Sequence, residues 1–374
     1  MMKLLTAGLA TLFAFLSITQ ATPTHQFDHF FPGWNDLVQA ILRDNCSEPY
    51  AAYLTGNVNY TIGKQSLVNP VIDCILEEFP ESRKAELATG ALVLGLIPTI
   101  LQNIGSTTPE TALVGLRRPF LGFLISAGSP AVSMMKTTDF AKTIAELVEG
   151  GDPTGLGVNR LRWSQGRVKW AFLIAVLEIV LVGGAVANVV HLAVNLGIYA
   201  VAIFGPDTIF GVPLWTLGAA LIHLAGCLAV WVRVRLEPID VRNEEDYGAR
   251  TKPLNTWVPA QFIPAVFQPP MIVDLRRDGA SNFWFYVVAW VISIGILIQV
   301  AFGTLVLSGL LFFSLADCLI IVARYSLSAI ICRGVVKFEL SGMMAAMIPA
   351  QAQEGNVAQE QIVLTGWKEQ TQEM

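Results

Sequence analysis

Long apolar runs alternate with polar segments along the chain. Three runs, 85–105, 168–188 and 213–232, have about the 20 residues that an α-helix needs to cross the hydrocarbon core of a bilayer. A fourth run, 283–331, is roughly twice that length and predicts a helical hairpin. We therefore predict an all-α integral membrane protein whose helices form a bundle of about five to seven spans.

Two shorter apolar segments leave the number of spans open. Residues 119–132 and 192–204 are both short for a span, and the first could be a re-entrant or interfacial segment. If both cross the membrane, the bundle has seven spans; if neither does, it has five.

Flanking cations favour the five-span arrangement. Lys and Arg near span ends mark the cytoplasmic side, and only with five spans do the flanking cations all fall on one side. This orientation places the N-terminal segment outside the cytoplasm and the C-terminal tail inside. The cations concerned are Arg117, Arg118, Arg160, Arg162, Arg167, Lys169, Arg233, Arg235, Arg276, Arg277, Arg333 and Lys337.

Residues 1–21 have the pattern of a secretory signal peptide. Lys3 precedes an apolar run at 4–18, which is too short to span, and Thr19-Gln20-Ala21 provides small residues for cleavage. The alternative is that the run is retained as an anchor. Either form directs the chain into the secretory pathway.

The segment 22–84 has features of an extracytoplasmic environment. It contains glycosylation sequons at Asn45 and Asn59, and the cysteines Cys46 and Cys74. In an oxidising compartment we expect the two cysteines to form a disulfide. This bridge would staple a segment that is too short to bury much of a core alone.

The remaining polar segments are assigned to the cytoplasm. Within the membrane region 85–232, the stretch 134–167 includes apolar residues at helical spacing and predicts an amphipathic helix. A polar loop at 233–282 precedes the transmembrane hairpin 283–332. The tail 333–374 ends in a Gln- and Glu-rich sequence, which is typical of disorder.

Composition and charge limit the partners. Of 374 residues, 53% are hydrophobic and 14% are charged, against about 25% charged in soluble domains. The net charge of −5 and the lack of a basic patch with interleaved aromatics argue against a nucleic-acid partner. The expected partners are the lipid bilayer and a cytoplasmic protein bound through 235–282.

Polar residues inside the apolar runs are the candidate functional residues. An ionised carboxylate at the bilayer centre costs about 3 kcal/mol or more, so Glu178 and Asp317 need a partner, a proton or a wet cavity. Arg324 lies near the Asp317 face of the same predicted helix. His191 and His223 are too isolated to form a metal site.

These five residues support two interpretations, an ion or proton site and a set of interhelical hydrogen bonds. Pairing of Glu178 with Arg324, and of Asp317 with His223, are both conceivable. The sequence does not choose between them.

Motifs of common enzymes are absent. The sequence has no GxxxxGK[ST] loop, no HExxH, no GxSxG and no CxxC. We therefore assign no catalytic residue, metal ligand or cofactor, and lean towards a protein that is not an enzyme.

Three runs resemble a group of multi-span membrane proteins of filamentous fungi. They are CILEEFPESRKAELATGALVLGLIPTILQNIG from Cys74, RRPFLGFLISAGSPAV from Arg117 and ARYSLSAIICRGVVKFELSGM from Ala323. The resemblance covers about a third of the chain and implies a multi-pass architecture and a fungal source. No catalytic residue carries over from the group. The resemblance also implies that Arg117-Arg118-Pro119 and Ser129-Pro130 shape a structural element.

Two functional hypotheses follow. The first is a receptor-like, scaffolding or accessory membrane protein, with a stapled outer segment and a cytoplasmic loop for partners. The second is a transporter or channel for a small solute or protons that uses Glu178 and Asp317. We favour the first, because the sequence lacks catalytic motifs and an unusually large share of the chain lies outside the spans.

Overall fold

The structure is a computed structural model in which ten α-helices dominate the described part of the chain. It describes residues 25–57, 66–133, 168–203, 205, 209–238, 262–267, 271–275 and 279–349. Outside these residues lie the expected signal peptide, Asn59, the stretch at 134–167, most of the loop at 233–282 and the tail from 350 onwards.

Of these ten helices, five have 9 to 11 residues and five have 23 to 32 residues. They are α1 (Asn35–Asp44), α2 (Ser47–Thr55), α3 (Val68–Glu78), α4 (Glu81–Ile104), α5 (Thr108–Arg117), α6 (Pro119–Gly128), α7 (Val168–Tyr199), α8 (Gly211–Arg233), α9 (Gly279–Ser308) and α10 (Leu315–Ala346). Five short strands accompany them: β1 (Val201–Ala202), β2 (Val234–Pro238), β3 (Met271–Leu275), β4 (Leu310–Leu311) and β5 (Met347–Pro349).

Five of the described helices, α4, α7, α8, α9 and α10, are long and apolar enough to cross a membrane. Helix α6, at 10 residues, is too short to do so. The second doubtful segment is not a separate span either, because residues 192–199 continue α7 as one helix of 32 residues. The chain is therefore an all-α, multi-pass membrane protein, with five spanning helices among the residues that the structure describes.

The surface of the spanning helices shows that lipid is their solvent. Leu92 and Ile298 expose 66% and 62% of their surface, while Glu178 and Asp317 are buried. Soluble proteins rarely expose apolar patches of more than a few hundred Å². An apolar exterior with charges inside is the arrangement that a hydrocarbon environment requires.

The chain divides into two compact units. The first comprises Met1–Ile97, His191–Leu214 and Gly303–Val322, and the second comprises Pro98–Val190, Trp215–Phe302 and Ala323–Met374. Each unit has its own apolar core, and the two are described in turn.

The first unit is built on an aromatic core stapled by a disulfide. Helices α1, α2 and α3 surround Phe27, Trp34 and Phe79, and the ring centroids of Trp34 and Phe79 are 5.3 Å apart. Cys46, between α1 and α2, forms a disulfide with Cys74 on α3. The expected N-terminal staple is thus confirmed, and it closes over a packed core.

A strained residue joins the connection between α9 and α10 to this core. Phe312 has a φ of 63°, in the left-handed region, which costs a bulky residue about 1–2 kcal/mol. Its buried ring packs edge-on against Phe30 at 5.9 Å and lies 6.0 Å from Phe79. Strands β1 and β4 pair antiparallel beside it, with Val201 opposite Leu311.

The second unit contains a tight helical hairpin made by α5 and α6. Pro119 occupies the first position of α6, where its fixed φ and missing N–H suit a helix start. Gly115 and Gly122 let the two helices approach closely, because a Cβ on Gly122 would lie 2.5 Å from the Gly115 Cα. The segment at 119–132 is therefore half of a hairpin of short helices.

The second unit also contains a small sheet that the sequence did not predict. Its strand order is β2-β3-β5, with β2 antiparallel and β5 parallel to β3. Helix α10 also runs past residue 332, where we expected the hairpin to end, and reaches Ala346. The reason is that buried residues continue at helical spacing through Val336, Leu340 and Met343.

Close packing at Gly122 leads to the first prediction. Gly122→Ala should lower the thermal stability of the detergent-solubilised protein by about 1–3 kcal/mol, because the added methyl overlaps the Gly115 backbone. The control is Gly184→Ala, whose Cβ would meet nothing within 4 Å. Fluorescence-detected thermal unfolding measures both, and equal melting temperatures would contradict the proposed close approach of α5 and α6.

Candidate functional site

The strongest constellation of charged residues lies in the second unit. Arg118 Nη1 is 2.5 Å from Oε2 of Glu178 and 2.8 Å from Oε1 of Glu339. The side chains of Arg118, Glu178 and Glu339 are 0%, 6% and 1% exposed. We call these three residues the ion network. It joins the turn between α5 and α6 to one spanning helix, α7, and to a second, α10.

Local sequence explains why Arg118 occupies the turn. The residue before a proline is disfavoured in the helical region, and Arg118 precedes Pro119 with φ −130° and ψ 75°. Helix α5 therefore ends there and α6 begins at the next residue. The backbone remains paired: Arg118 N–H donates to Val114 O at 2.8 Å, and Gly122 N–H donates to Arg118 O at 2.9 Å.

Two further groups contribute to the ion network. The Ala265 N–H donates to both carboxylate oxygens of Glu339 at 3.3 Å. Burial lowers the pKa of Arg117 to about 10, and the Glu339 carboxylate acts against this shift. Arg117 therefore stays charged at neutral pH and adds a second cation near Glu339.

The burial of all three members determines what the ion network can do. A buried ion pair adds little net stability over an apolar replacement, but removal of one partner costs about 3–5 kcal/mol because the other charge stays buried. The network is thus suited to fixing one arrangement of the α5–α6 turn, α7 and α10. Two carboxylates on one guanidinium also have the composition of a proton site.

A separate charged pair, Glu110 with Lys337, involves α10 two residues before Glu339 of the ion network. Lys337 Nζ is 2.7 Å from Glu110 Oε1, and Thr107 N–H donates to Glu110 Oε2 at 2.9 Å. Burial alone would raise the pKa of Glu110, but the Lys337 ammonium and the Thr107 N–H outweigh it, so that the pKa is lowered. Four residues earlier, Arg333 donates to Ile104 O at 3.0 Å and satisfies a terminal carbonyl of α4.

Asp317, in the first unit, holds the start of α10 through hydrogen bonds. Its Oδ2 accepts hydrogen bonds from Ser314 Oγ at 2.7 Å and from Gly33 N–H at 3.1 Å. Its own N–H donates to Ser314 Oγ at 3.1 Å, so the two residues form a reciprocal cap at the start of α10. A carboxylate there also suits the positive end of the helix dipole.

Arg324 and His223, in the second unit, make interhelical contacts. Arg324 Nε donates to Asn188 Oδ1 at 2.8 Å. Buried His223 has Nε2 at 3.0 Å from Ala131 O, and its Nδ1 is 3.0 Å from Thr111 Oγ1. Since a carbonyl can only accept, Nε2 carries the proton.

The two pairings considered from the sequence are not the ones formed. Glu178 pairs with Arg118 in place of Arg324, and Asp317 uses Gly33 and Ser314. His191, in the first unit, is exposed and has its ring nitrogens 3.4 and 3.5 Å from Asn195 Nδ2. The five candidate residues therefore do not converge on one site.

Of the two sequon asparagines, Asn45 lies in the part of the chain that the structure describes. Asn45 is exposed, and its Nδ2 donates to Glu78 Oε2 at 2.8 Å. Asn59 lies outside the described residues. Cys46, the middle residue of the first sequon, is fully buried in its disulfide with Cys74.

Sequence reasoning missed two of the three members of the ion network. The flanking-cation pattern predicts that Arg118 marks the cytoplasmic side, whereas its position just before a proline and an apolar run indicates a buried role. Glu339 was placed in the tail, although apolar residues surround it at helical spacing. A helical projection carried through Met343 would have placed Glu339 on the buried face of α10.

Comparisons with known proteins add no functional information. No family model matches the chain, and the searches of curated proteins and of solved structures give no match either. The candidate function therefore depends on the geometry described above.

The ion network leads to the second prediction. Arg118→Met should destabilise the protein by about 3–5 kcal/mol, because Glu178 and Glu339 lose the guanidinium that neutralises them. Arg43→Met is the control, since Arg43 pairs with Asp44 on the exposed surface. Thermal unfolding in detergent should shift for Arg118→Met only; similar curves for the two variants would rule out a central role for the ion network.

The Glu110–Lys337 pair leads to a prediction about pH. Because the folded pKa of Glu110 lies below its ordinary value of 4.5, the pair contributes its full stability above pH 4.5 and loses it as pH falls through the folded pKa. The free energy of unfolding of the wild type should therefore exceed that of Glu110→Gln by about 2 kcal/mol at pH 7, and the difference should be much smaller at pH 3. Thermal unfolding across this pH range measures the difference, and a pH-independent gap would contradict the assignment.

Proposed function

We propose that this chain is a receptor-like, scaffolding or accessory membrane protein, not an enzyme, that enters the membrane through the secretory pathway. In this proposal the disulfide-stapled segment is extracytoplasmic and the C-terminal tail is cytoplasmic. The positions of the cations and of the sequons in the sequence support this orientation. Membership of the fungal group remains part of the proposal and depends on the three resembling runs.

The proposal rests on the observation that both intramembrane acids, Glu178 and Asp317, are bound to polar groups of the protein. Asp317 caps α10, and Glu178 is held by Arg118. Neither carboxylate is left without a polar partner, and both partner sets connect separate elements of one unit. Acids used in this way favour fixed helix positions over the passage of a solute.

The first unit supports the receptor-like part of the proposal. Its three short helices have their own aromatic core and a disulfide, so they can hold a defined surface towards a partner. The same unit fixes the start of α10 through Gly33 and Asp317. A partner bound to the short helices would thus contact a body that is directly attached to a spanning helix.

The alternative is a transporter or channel for a small solute or protons. One observation favours it: Glu178 and Glu339 face a single guanidinium nitrogen, and intramembrane carboxylates of this kind form proton relays in pumps and transporters. This alternative requires the carboxylates to exchange protons during function. The proposed fixed network does not.

Proteoliposomes distinguish the two functions. Wild type, Glu178→Gln and Asp317→Asn would be reconstituted with an internal pH dye, and an inward proton gradient applied. We expect all three to show the same leak as protein-free vesicles, because both acids have structural partners. A wild-type flux that is lost in Glu178→Gln, with unchanged reconstitution, would establish the transporter.

The partner part of the proposal needs its own measurement. Replacement of residues 239–261 by a Gly-Ser linker leaves β2 and β3 in place. In extracts solubilised in mild detergent, we expect wild type and Glu178→Gln to migrate in a complex larger than the bare chain, and the linker variant to lose it. Migration of all three as the bare chain would contradict a cytoplasmic partner at this loop.

A further inference from the structure

The first sequon shares its middle residue with the disulfide. Its three residues are Asn45, Cys46 and Ser47, and Cys46 is bonded to Cys74, 28 residues later in the chain. The bridge that closes the aromatic core therefore starts from inside the sequon that a glycosyltransferase would have to bind.

In the folded chain the sequon lies at a sharp junction between two helices. Asn45 is the C-cap that follows α1, Cys46 precedes α2 and Ser47 begins α2. The N–H groups of Asn45 and Cys46 both donate to Ile41 O, at 2.9 and 3.0 Å. Two backbone N–H groups of the sequon are thus already hydrogen-bonded within the fold.

The side chains are committed as well. Cys46 is fully buried, while the exposed Asn45 donates from Nδ2 to Glu78 Oε2 at 2.8 Å. A glycosyltransferase has to hold the Asn45 amide and the Ser47 hydroxyl in one cleft, in reactive geometry. With Cys46 tied to α3, the sequon cannot leave the fold to enter such a cleft.

We propose that Asn45 accepts a glycan only while the Cys46–Cys74 bridge is open, so that closure of the bridge ends glycosylation at this site. The inference rests on the proposed extracytoplasmic position of the segment. Before closure, the sequon is free to adopt the conformation that the transferase needs. After closure, the helical junction of α1 and α2 and the burial of Cys46 prevent the sequon from adopting that conformation.

Both reactions are defined chemically. In glycosylation, Asn45 Nδ2 bonds to the anomeric carbon of a lipid-linked oligosaccharide diphosphate. The lipid diphosphate leaves with the electron pair of the broken carbon–oxygen bond, and a base of the transferase takes the amide proton. In bridge closure, the thiols of Cys46 and Cys74 lose two protons and two electrons to the disulfide of a thiol oxidoreductase.

Synthesis provides the time during which the bridge is open. Cys74 follows Cys46 by 28 residues, which takes about 1–6 s at ordinary rates of translation. Disulfide formation then takes seconds or longer. Only a short interval is therefore available for glycosylation of Asn45, and we expect only part of the molecules to carry a glycan there.

The experiment uses the full chain in eukaryotic cells, with the occupancy of Asn45 and Asn59 measured by mass spectrometry of deglycosylated peptides. The variant Cys74→Ser keeps the sequon and removes the bridge, and Cys227→Ser is the control because Cys227 is a free cysteine. A third arm exposes the wild type to dithiothreitol during a labelling pulse and then removes it. This arm needs no variant to fold.

We expect occupancy at Asn45 to rise by about two-fold or more in Cys74→Ser and in the dithiothreitol arm, because the open interval lengthens. Asn59 and the Cys227→Ser control should not change. Equal Asn45 occupancy in all arms, full occupancy in untreated wild type, or a parallel rise at Asn59 would overturn the inference. If neither asparagine carries a glycan in any arm, the extracytoplasmic placement fails and the inference fails with it.

Discussion

The contact of one buried guanidinium, that of Arg118, with two buried carboxylates is the interaction on which the second unit depends. Hydrocarbon offers no water to solvate Glu178 or Glu339, so each needs a cation within contact distance. One guanidinium meets both and so fixes the positions of two spanning helices, α7 and α10, relative to a turn. The tight α5–α6 hairpin at Gly115 and Gly122 presents that guanidinium, which links backbone packing to electrostatics.

The same constraint explains the polar residues of the first unit. Asp317 occurs where an apolar helix begins, and there the positive end of the helix and the Ser314 hydroxyl stabilise it. Helix α10 thus carries a polar attachment near each end, Asp317 at its start and Glu339 in its last turns.

The apolar pattern predicts the fold well, because hydropathy and length directly reflect lipid as a solvent. It predicted five to seven spans, the flanking cations favoured five, and the pair Cys46 and Cys74 predicted the disulfide. It could not give the partner of Glu178, because a buried charge pair depends on which helices meet and at what height. Nor could it give the strands, since β2 and β5 are each short and separated in sequence by two spans.

The parallel pairing of β3 with β5 has a consequence for assembly. Met271 and Met347 are partners in the sheet, yet α9 and α10 are both made between them. The sheet can therefore be completed only after the ribosome has released the last spans and the residues beyond them. Its third strand is therefore the last to join, and a chain truncated before residue 347 leaves β3 with one unpaired hydrogen-bonding edge, which can pair with a strand of another chain.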